Sequence, residues 1–313
     1  MNIALTKGTT VTPKNLFTVV LVSAAYLSLS YALVGFKTDQ LFLIGIFFTL
    51  YFASTLTRKF VLGFSIFIVY WIIFDYMKAF PNYRYNEVHI AGLYNLEKHF
   101  FGINYGGHLI TPNEFWRING HTFLDLLTGF FYLCWIPVPF GFAAYLFFTR
   151  RHRQFLYFAL TFVVVNLLGF VVYYAYPAAP PWYVQFHGFQ FFQATAGNTA
   201  GLAKFDAFFH INLFKSIYAK GSNVFAAMPS LHSSYPLIVV YYGLRNRLGW
   251  GNLFFITVTV GIWFSAVYTS HHYVLDVLAG IATAATGIAL FNFLVAKSKT
   301  LRRWLNRYEA IIQ

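Results

Sequence analysis

Apolar residues run through this chain in long blocks with short polar breaks between them. A block of about 17–25 apolar residues is long enough to cross a bilayer as a helix. Such blocks lie near residues 15–36, 40–56, 60–80, 122–148, 154–176, 230–246, 251–270 and 272–296. The pattern predicts an all-α polytopic membrane protein with about eight transmembrane helices. The first block is too long for a signal-peptide core and more spans follow it, so it reads as the first transmembrane helix. Two long segments, 81–121 and 177–229, separate the blocks. In the first, Tyr, Leu, Phe and His are mixed with charges, a composition suited to lying along the membrane surface.

Composition makes lipid the main solvent. Of the 313 residues 58% are hydrophobic, 22% aromatic and 10% charged, against about 25% charged in a soluble domain. The net charge of +13 does not indicate a nucleic-acid partner, because the basic residues form short clusters between apolar runs with no basic stripe or recognised module. They orient the chain instead. With the N-terminus in the cytoplasm, eight spans place Arg58 and Lys59, Arg150, Arg151 and Arg153, and Arg245 and Arg247 in short cytoplasmic turns, with Lys297, Lys299, Arg302, Arg303 and Arg307 after the last span. Short cytoplasmic loops of membrane proteins carry such an excess. The two long segments then face away from the cytoplasm, and every histidine except His152 falls on that side or at its edge. Cys134 stands alone, which excludes an intramolecular disulfide and a cysteine-based zinc site.

Two short motifs carry candidate chemistry. The first is Met228-Pro229-Ser230-Leu231-His232. Pro229 and Ser230 read as a helix start with Ser230 as N-cap. His232 then sits in the first turn, where free N–H groups and the positive end of the dipole favour an anion. The second is Ser270-His271-His272-Tyr273-Val274-Leu275-Asp276. Four residues separate His272 from Asp276, so on one helix they share a face. The carboxylate can hold one imidazole nitrogen and leave the other to attack or to accept a proton. A carboxylate within a span is costly, which makes Asp276 a functional candidate. A lone His-x-x-x-Asp is as readily structural, and His232, His271, His272 and Asp276 could also hold a metal. Two helix starts at one membrane face, each with a histidine at its tip, favour a catalytic reading with no metal and no other cofactor.

At these residues the sequence resembles the type 2 phosphatidic acid phosphatase superfamily. Its pattern is Pro-Ser-Gly-His, then Ser-Arg, five residues, His, three residues, Asp. Pro229-Ser230-Leu231-His232 matches the first part with Leu for Gly; Ser265-Ala266, five residues, His272 and Asp276 match the second with Ala for Arg. The family's Lys-x6-Arg-Pro motif is replaced by Tyr176-Pro177-Ala178-Ala179-Pro180-Pro181-Trp182. The Pro-Ser-Leu-His, His-His-Tyr-x-x-Asp and Ala-Pro-Pro-Trp segments together are similar to the inositol phosphorylceramide synthase branch. So is the stretch from Glu87 through Asp125, with Leu93-Tyr94-Asn95-Leu96-Glu97 and Thr111-Pro112-Asn113-Glu114.

The resemblance implies a six-helix catalytic core like that of the phosphatases. It divides the chain into N-terminal transmembrane helices (1–80), an interfacial extracytoplasmic segment (81–121), a catalytic core (122–296) and a basic cytoplasmic tail (297–313). It also implies that His272 attacks phosphorus to give a phosphohistidine, that His232 protonates the leaving alcohol and then deprotonates the incoming hydroxyl, and that Asp276 orients His272. The absent arginines leave the phosphate without its usual cations. Ser230 and His271 beside the catalytic pair, the loop cations Lys220 and Arg117, and Trp182 in the proline-rich loop are the candidates to bind substrate.

The implied partners are membrane lipids: a phosphatidylinositol-like donor and a ceramide-like acceptor. An accessory membrane subunit is left open. The site would face the periplasm in a bacterium or the Golgi lumen in a eukaryote. Water as acceptor would make the protein a lipid phosphate phosphatase. A non-catalytic transporter or scaffold is the alternative from another class, and the inverted repeats that would mark a transporter are not evident.

Overall fold

The computed structural model describes residues 11–219, 221 and 223–313; Lys220, one of the candidate cations, lies outside the described residues. The chain begins with α1 (Pro13–Val34), α2 (Thr38–Ala53) and α3 (Thr55–Tyr76). Proline at the first helical position and the Thr12 hydroxyl, which accepts from Asn15 N at 3.3 Å, start α1. Ser54 separates α2 from α3 and caps α3 through Thr57 N at 3.1 Å. Exposed Phe17, Leu21, Phe42 and Ile46 cover α1 and α2 with an apolar face suited to lipid.

The interfacial segment follows, with α4 (Ala91–Phe101), a hairpin of β1 (Ile103–Tyr105) and β2 (His108–Ile110), and α5 (Pro112–Asn119). The hairpin pairs Ile103 with Ile110 and Tyr105 with His108. Next come α6 (Thr122–Leu133), α7 (Pro137–Phe148) and α8 (His152–Ala175). The sequence predicted one helix over 122–148, but Cys134, Trp135 and Ile136 break it, and Pro137 opens α7. Proline is pre-shaped for a first helical turn and cannot continue a preceding one. Irregular backbone at membrane depth is tolerated only where protein encloses it, and this break faces the candidate site.

The second long segment carries α9 (Pro181–His187), α10 (Ala203–Phe209) and α11 (Leu213–Ala219). The chain closes with α12 (Leu231–Arg245), α13 (Gly251–Tyr268), α14 (Val274–Lys297) and α15 (Lys299–Ile312). α3, α6 with α7, α8, α12, α13 and α14 form the packed bundle, and α8 touches α3, α7, α12 and α14. Phe60, Phe64 and Phe67 of α3 interlock with Phe147 and Phe155.

Six stretches of the described residues are long and apolar enough to span: 13–34, 55–79, 122–148, 152–175, 251–268 and 274–297. The other two predicted spans, α2 and α12, have 16 and 15 residues, or about 24 and 22 Å against a hydrocarbon core of about 30 Å. The number eight is therefore approximate.

The two ends of the bundle differ. At one end, Arg151 Nη1 donates to Asn246 O at 3.1 Å, joining the α7–α8 and α12–α13 turns. Arg153 pairs there with Glu309 of α15 at 3.0 Å. Residues expected as a basic tail thus form a helix that buries Leu305 and Ile312 against the bundle. At the other end three loops pair side by side: His89 N donates to Pro177 O at 2.8 Å, Ala178 N to Phe225 O at 2.9 Å, and Ala227 N to Ala178 O at 3.3 Å. The starts of α12 and α14 meet beneath this ladder.

Candidate active site

Ser230 begins the site. Its hydroxyl accepts from Ser233 N at 3.3 Å, capping α12, and its own N–H donates to Asp276 O at 2.9 Å. The two helix starts are therefore fastened together. Ser234 Oγ adds a bond to Gly280 O at 2.7 Å. Only a glycine admits this approach, because a Cβ at position 280 would fall on the Ser230 carbonyl.

His272 does not lie on α14. Tyr273 is the N-cap, and His272 precedes it in a tight loop. Ser270 adopts φ +62°, and the N–H groups of His271 and His272 both reach Ala266 O, at 3.1 and 2.9 Å. The expected helical face shared by His272 and Asp276 is thus replaced by a turn. Asp276 Oδ2 accepts from Tyr273 N at 2.8 Å and stands 3.6 Å from His272 Nδ1. That nitrogen is nearer to Ala227 O, at 3.0 Å.

A carbonyl oxygen can only accept, so Nδ1 of His272 carries the hydrogen and Nε2 carries the lone pair. Nε2 lies 3.1 Å from Nδ1 of His232. The structure therefore brings His232, His272 and Asp276 together, with the lone-pair nitrogen of His272 facing a ring nitrogen of His232. Asp276 is fully buried and its Oδ1 has no partner among the described residues. A buried carboxylate of this kind stabilises positive charge on the ring beside it.

The other candidates are placed differently. His271 is buried, stacks on Tyr218 at 4.5 Å between centroids and contacts Thr199 O through Nε2 at 3.0 Å. Trp182 is buried among Ile90, Ala179, Tyr183 and Phe225, and its backbone N–H holds Ser270 O at 3.0 Å. Arg117 is exposed on α5 and makes no ion pair among the described residues. Neither Trp182 nor Arg117 has a hydrogen bond to the histidine pair.

Residues that the motifs did not single out build the surroundings. Tyr132 Oη lies 3.2 Å from His232 Nδ1, and Trp135 packs edge-on against the same ring at 4.4 Å. Both flank the α6–α7 break. From α5, Asn113 Nδ2 donates to Val267 O at 2.7 Å and His272 O at 2.8 Å. From α4, Glu97 accepts from Val274 N at 2.9 Å and Leu275 N at 3.1 Å, capping α14. Burial pushes the Glu97 carboxyl up to about 7, against these two amide bonds, which favour its charged form. The interfacial segment thus braces the loop that carries His272. The signal for these two residues was that they lie in the stretches 93–97 and 111–114, which resemble the synthase branch. Tyr132 and Trp135 left none in a chain with 23 tyrosines and 7 tryptophans. Among the described residues no group of three His, Cys, Asp or Glu is arranged to hold a metal.

Comparison with known proteins follows this geometry. Residues 108–290 match the PAP2 superfamily. The chain is 40% identical over 301 residues to the phosphoinositol dihydroceramide synthase of Bacteroides thetaiotaomicron, covering 96% of this chain and 99% of that protein. It is 30% identical over 222 residues to the inositol phosphorylceramide synthase catalytic subunit of Saccharomyces cerevisiae, covering 68% of this chain and 52% of that one. The inositol phosphorylceramide synthase of Candida albicans is 30% identical over 173 residues, 51% of this chain and 35% of the relative. The chain thus spans about half of the first of these fungal relatives and about a third of the second. No solved structure matches. A family match over more than half of the chain, together with a relative aligned nearly end to end, means that this chain belongs to the PAP2 superfamily.

Proposed function

We propose that this protein is an integral-membrane lipid phosphotransferase that moves inositol phosphate from a glycerophospholipid to the hydroxyl of a ceramide-like lipid. The observation that carries the reading is the 3.1 Å approach of His232 Nδ1 to His272 Nε2, with the hydrogen of His272 fixed on Nδ1 by Ala227 O. The similar bacterial and fungal synthases, named for phosphoinositol dihydroceramide and inositol phosphorylceramide, supply the head group and the acceptor.

The reaction runs in two balanced steps. The Nε2 lone pair of His272 attacks the phosphorus of the donor. An N–P bond forms, the P–O bond to diacylglycerol breaks, and protonated His232 delivers its proton to the departing oxygen. The ceramide-like hydroxyl then attacks the phosphohistidine, its proton passes to His232, and the P–N bond breaks. Ala227 O holds the Nδ1–H of His272 at 3.0 Å, and Asp276, 3.6 Å from that nitrogen, stabilises the positive charge that the ring carries while it is phosphorylated. A phosphodiester donor bears one negative charge where a monoester bears nearly two, which suits a pair with no arginine or lysine bonded to it among the described residues.

The site faces away from the cytoplasm. The basic turns around Arg151 and Asn246 lie at the end of the bundle opposite the histidine pair, and basic turns favour the cytoplasmic side. The test is transfer from head-group-labelled phosphatidylinositol to ceramide in membranes containing the full chain. Wild type should form labelled inositol phosphorylceramide, and His272→Ala and His232→Ala should each lower the rate by at least about 10³-fold. Full activity of His272→Ala, or label released only as a water-soluble phosphate, would refute the reading.

A further inference from the structure

The mechanism above leaves the phosphate oxygens without a named donor. The superfamily's arginine positions are Ala266 and the Tyr176–Pro177 region here. Among the described residues, the other groups at the two catalytic rings are Tyr132 and the Ala227 carbonyl, in hydrogen-bond contact, and Asp276 at 3.6 Å. Among these only the tyrosine can donate to an anion.

The protons at this cluster can be followed one by one. Tyr218 Oη donates to Tyr132 Oη at 3.2 Å. Tyr132 therefore accepts on its oxygen, and its own hydrogen is directed elsewhere. Among the described residues its other hydrogen-bond partner is His232 Nδ1 at 3.2 Å. That nitrogen also faces the lone pair of His272 Nε2 at 3.1 Å. If it carries a hydrogen it donates to His272, and the Tyr132 hydrogen then has no acceptor. If it carries none, two lone pairs face each other across 3.1 Å. In the first state, the one that fits the protonated His232 of the proposed mechanism, the cluster is one acceptor short; in the second it is one hydrogen short. A phosphoryl oxygen between the rings supplies that acceptor.

Packing fixes the hydroxyl in place. Tyr132 is 1% exposed, and its ring meets His271 at 5.4 Å and Phe214 at 6.5 Å between centroids. It lies in the last turn of α6, just before the fourth span breaks, so the break serves to aim this side chain. Tyr218 stacks on His271 with only 12° between the planes, and His271 is tied to Thr199 O. The second long segment thus positions Tyr218, which in turn orients Tyr132.

We propose that Tyr132 is a further catalytic residue, whose hydroxyl donates to a non-bridging phosphoryl oxygen in place of the family's arginine, and that Tyr218 is the positioning residue that turns it. The assignment rests on the reading that phosphorus lies between His232 and His272. A preorganised donor aimed at developing charge acts on the transition state more than on ground-state binding.

The experiment uses the purified full chain in detergent with head-group-labelled phosphatidylinositol, following label transfer to protein in a single turnover and to ceramide in steady state. Tyr132→Phe keeps the ring and its stacking. It should slow phosphoenzyme formation and kcat by about 10²-fold, with KM within about two-fold of wild type. Tyr218→Phe, which leaves the Tyr132 hydroxyl in place, should lose about five- to ten-fold in kcat, the scale of one hydrogen bond. A Tyr132→Phe enzyme with wild-type kcat, or one whose loss lies wholly in KM, would overturn the assignment. Should Tyr132→Phe fail to fold, a wild-type rate in Tyr218→Phe would overturn it equally. Failure of wild type to take up label would count against the phosphotransferase reading itself, whereas an active wild type with an unimpaired Tyr132→Phe would count only against Tyr132.

Discussion

Glu97 shows how a residue outside the motifs comes to matter. Its carboxyl is fully buried on α4 yet caps α14 through two amides, in the same helical turn as Asp276. Burial raises it to about 7, and the negative charge of Asp276 adds to the rise. An acid whose pKa rises on folding binds its proton more tightly in the folded state. Its contribution to stability is therefore full below the ordinary value near 4.5 and is lost as pH climbs through the folded value. Between pH 5 and pH 7.5 the melting temperature of the wild type in detergent should fall relative to that of Glu97→Gln, which has no proton to lose. Parallel pH profiles for the two proteins would show that Glu97 does not titrate in this window. Asn113 complements it by holding the carbonyls of Val267 and His272, so the loop is braced from both α4 and α5.

At the scale of elements, the contact between α12 and α14 decides the geometry. Ser230 N bonds Asp276 O, Ser234 Oγ bonds Gly280 O, and position 280 has no room for a Cβ. Gly280→Ala should push the helices apart by the Ser230 carbonyl, cost about 1–3 kcal/mol of stability and lower transfer at least ten-fold by widening the gap between His232 and His272. Gly45→Ala on α2, where a Cβ would meet nothing within 4 Å, should leave both unchanged. Thermal unfolding and the lipid-transfer assay check the pair together. Gly287 repeats the arrangement one step along the span, against Val165 of α8. The small residues of α14 thus set helix spacing, a role that a spacing pattern of small residues suggests in membrane bundles generally. The fourth span was less readable. Pro137 and Pro139 lie within an unbroken apolar run, and hydropathy alone does not separate one spanning helix from two half-helices.

For the whole molecule, the basic turns and α15 occupy one end and the histidine pair the other. Sidedness follows from a cysteine-accessibility experiment, which the single Cys134 makes clean. On a Cys134→Ser background, Asn212→Cys in the exposed stretch before α11 should react with an impermeant maleimide in intact cells. Arg303→Cys on α15 should react only after lysis. The reverse result would invert the orientation and place the site in the cytoplasm.

Hydropathy, charge and helix-start chemistry act over a few neighbouring residues, so the membrane class, the approximate positions of the spans, the charge asymmetry of their connections and the two histidine motifs were legible from the chain alone. The Ser230 cap on α12 was legible for the same reason. Only the tertiary structure decided that His272 leaves the helix, that Ala227 O sets its tautomer, and that Tyr132, Tyr218, Glu97 and Asn113 gather around the motifs. These contacts join residues 45 to 177 positions apart or run through backbone carbonyls, and neither local periodicity nor side-chain identity records which distant group will arrive.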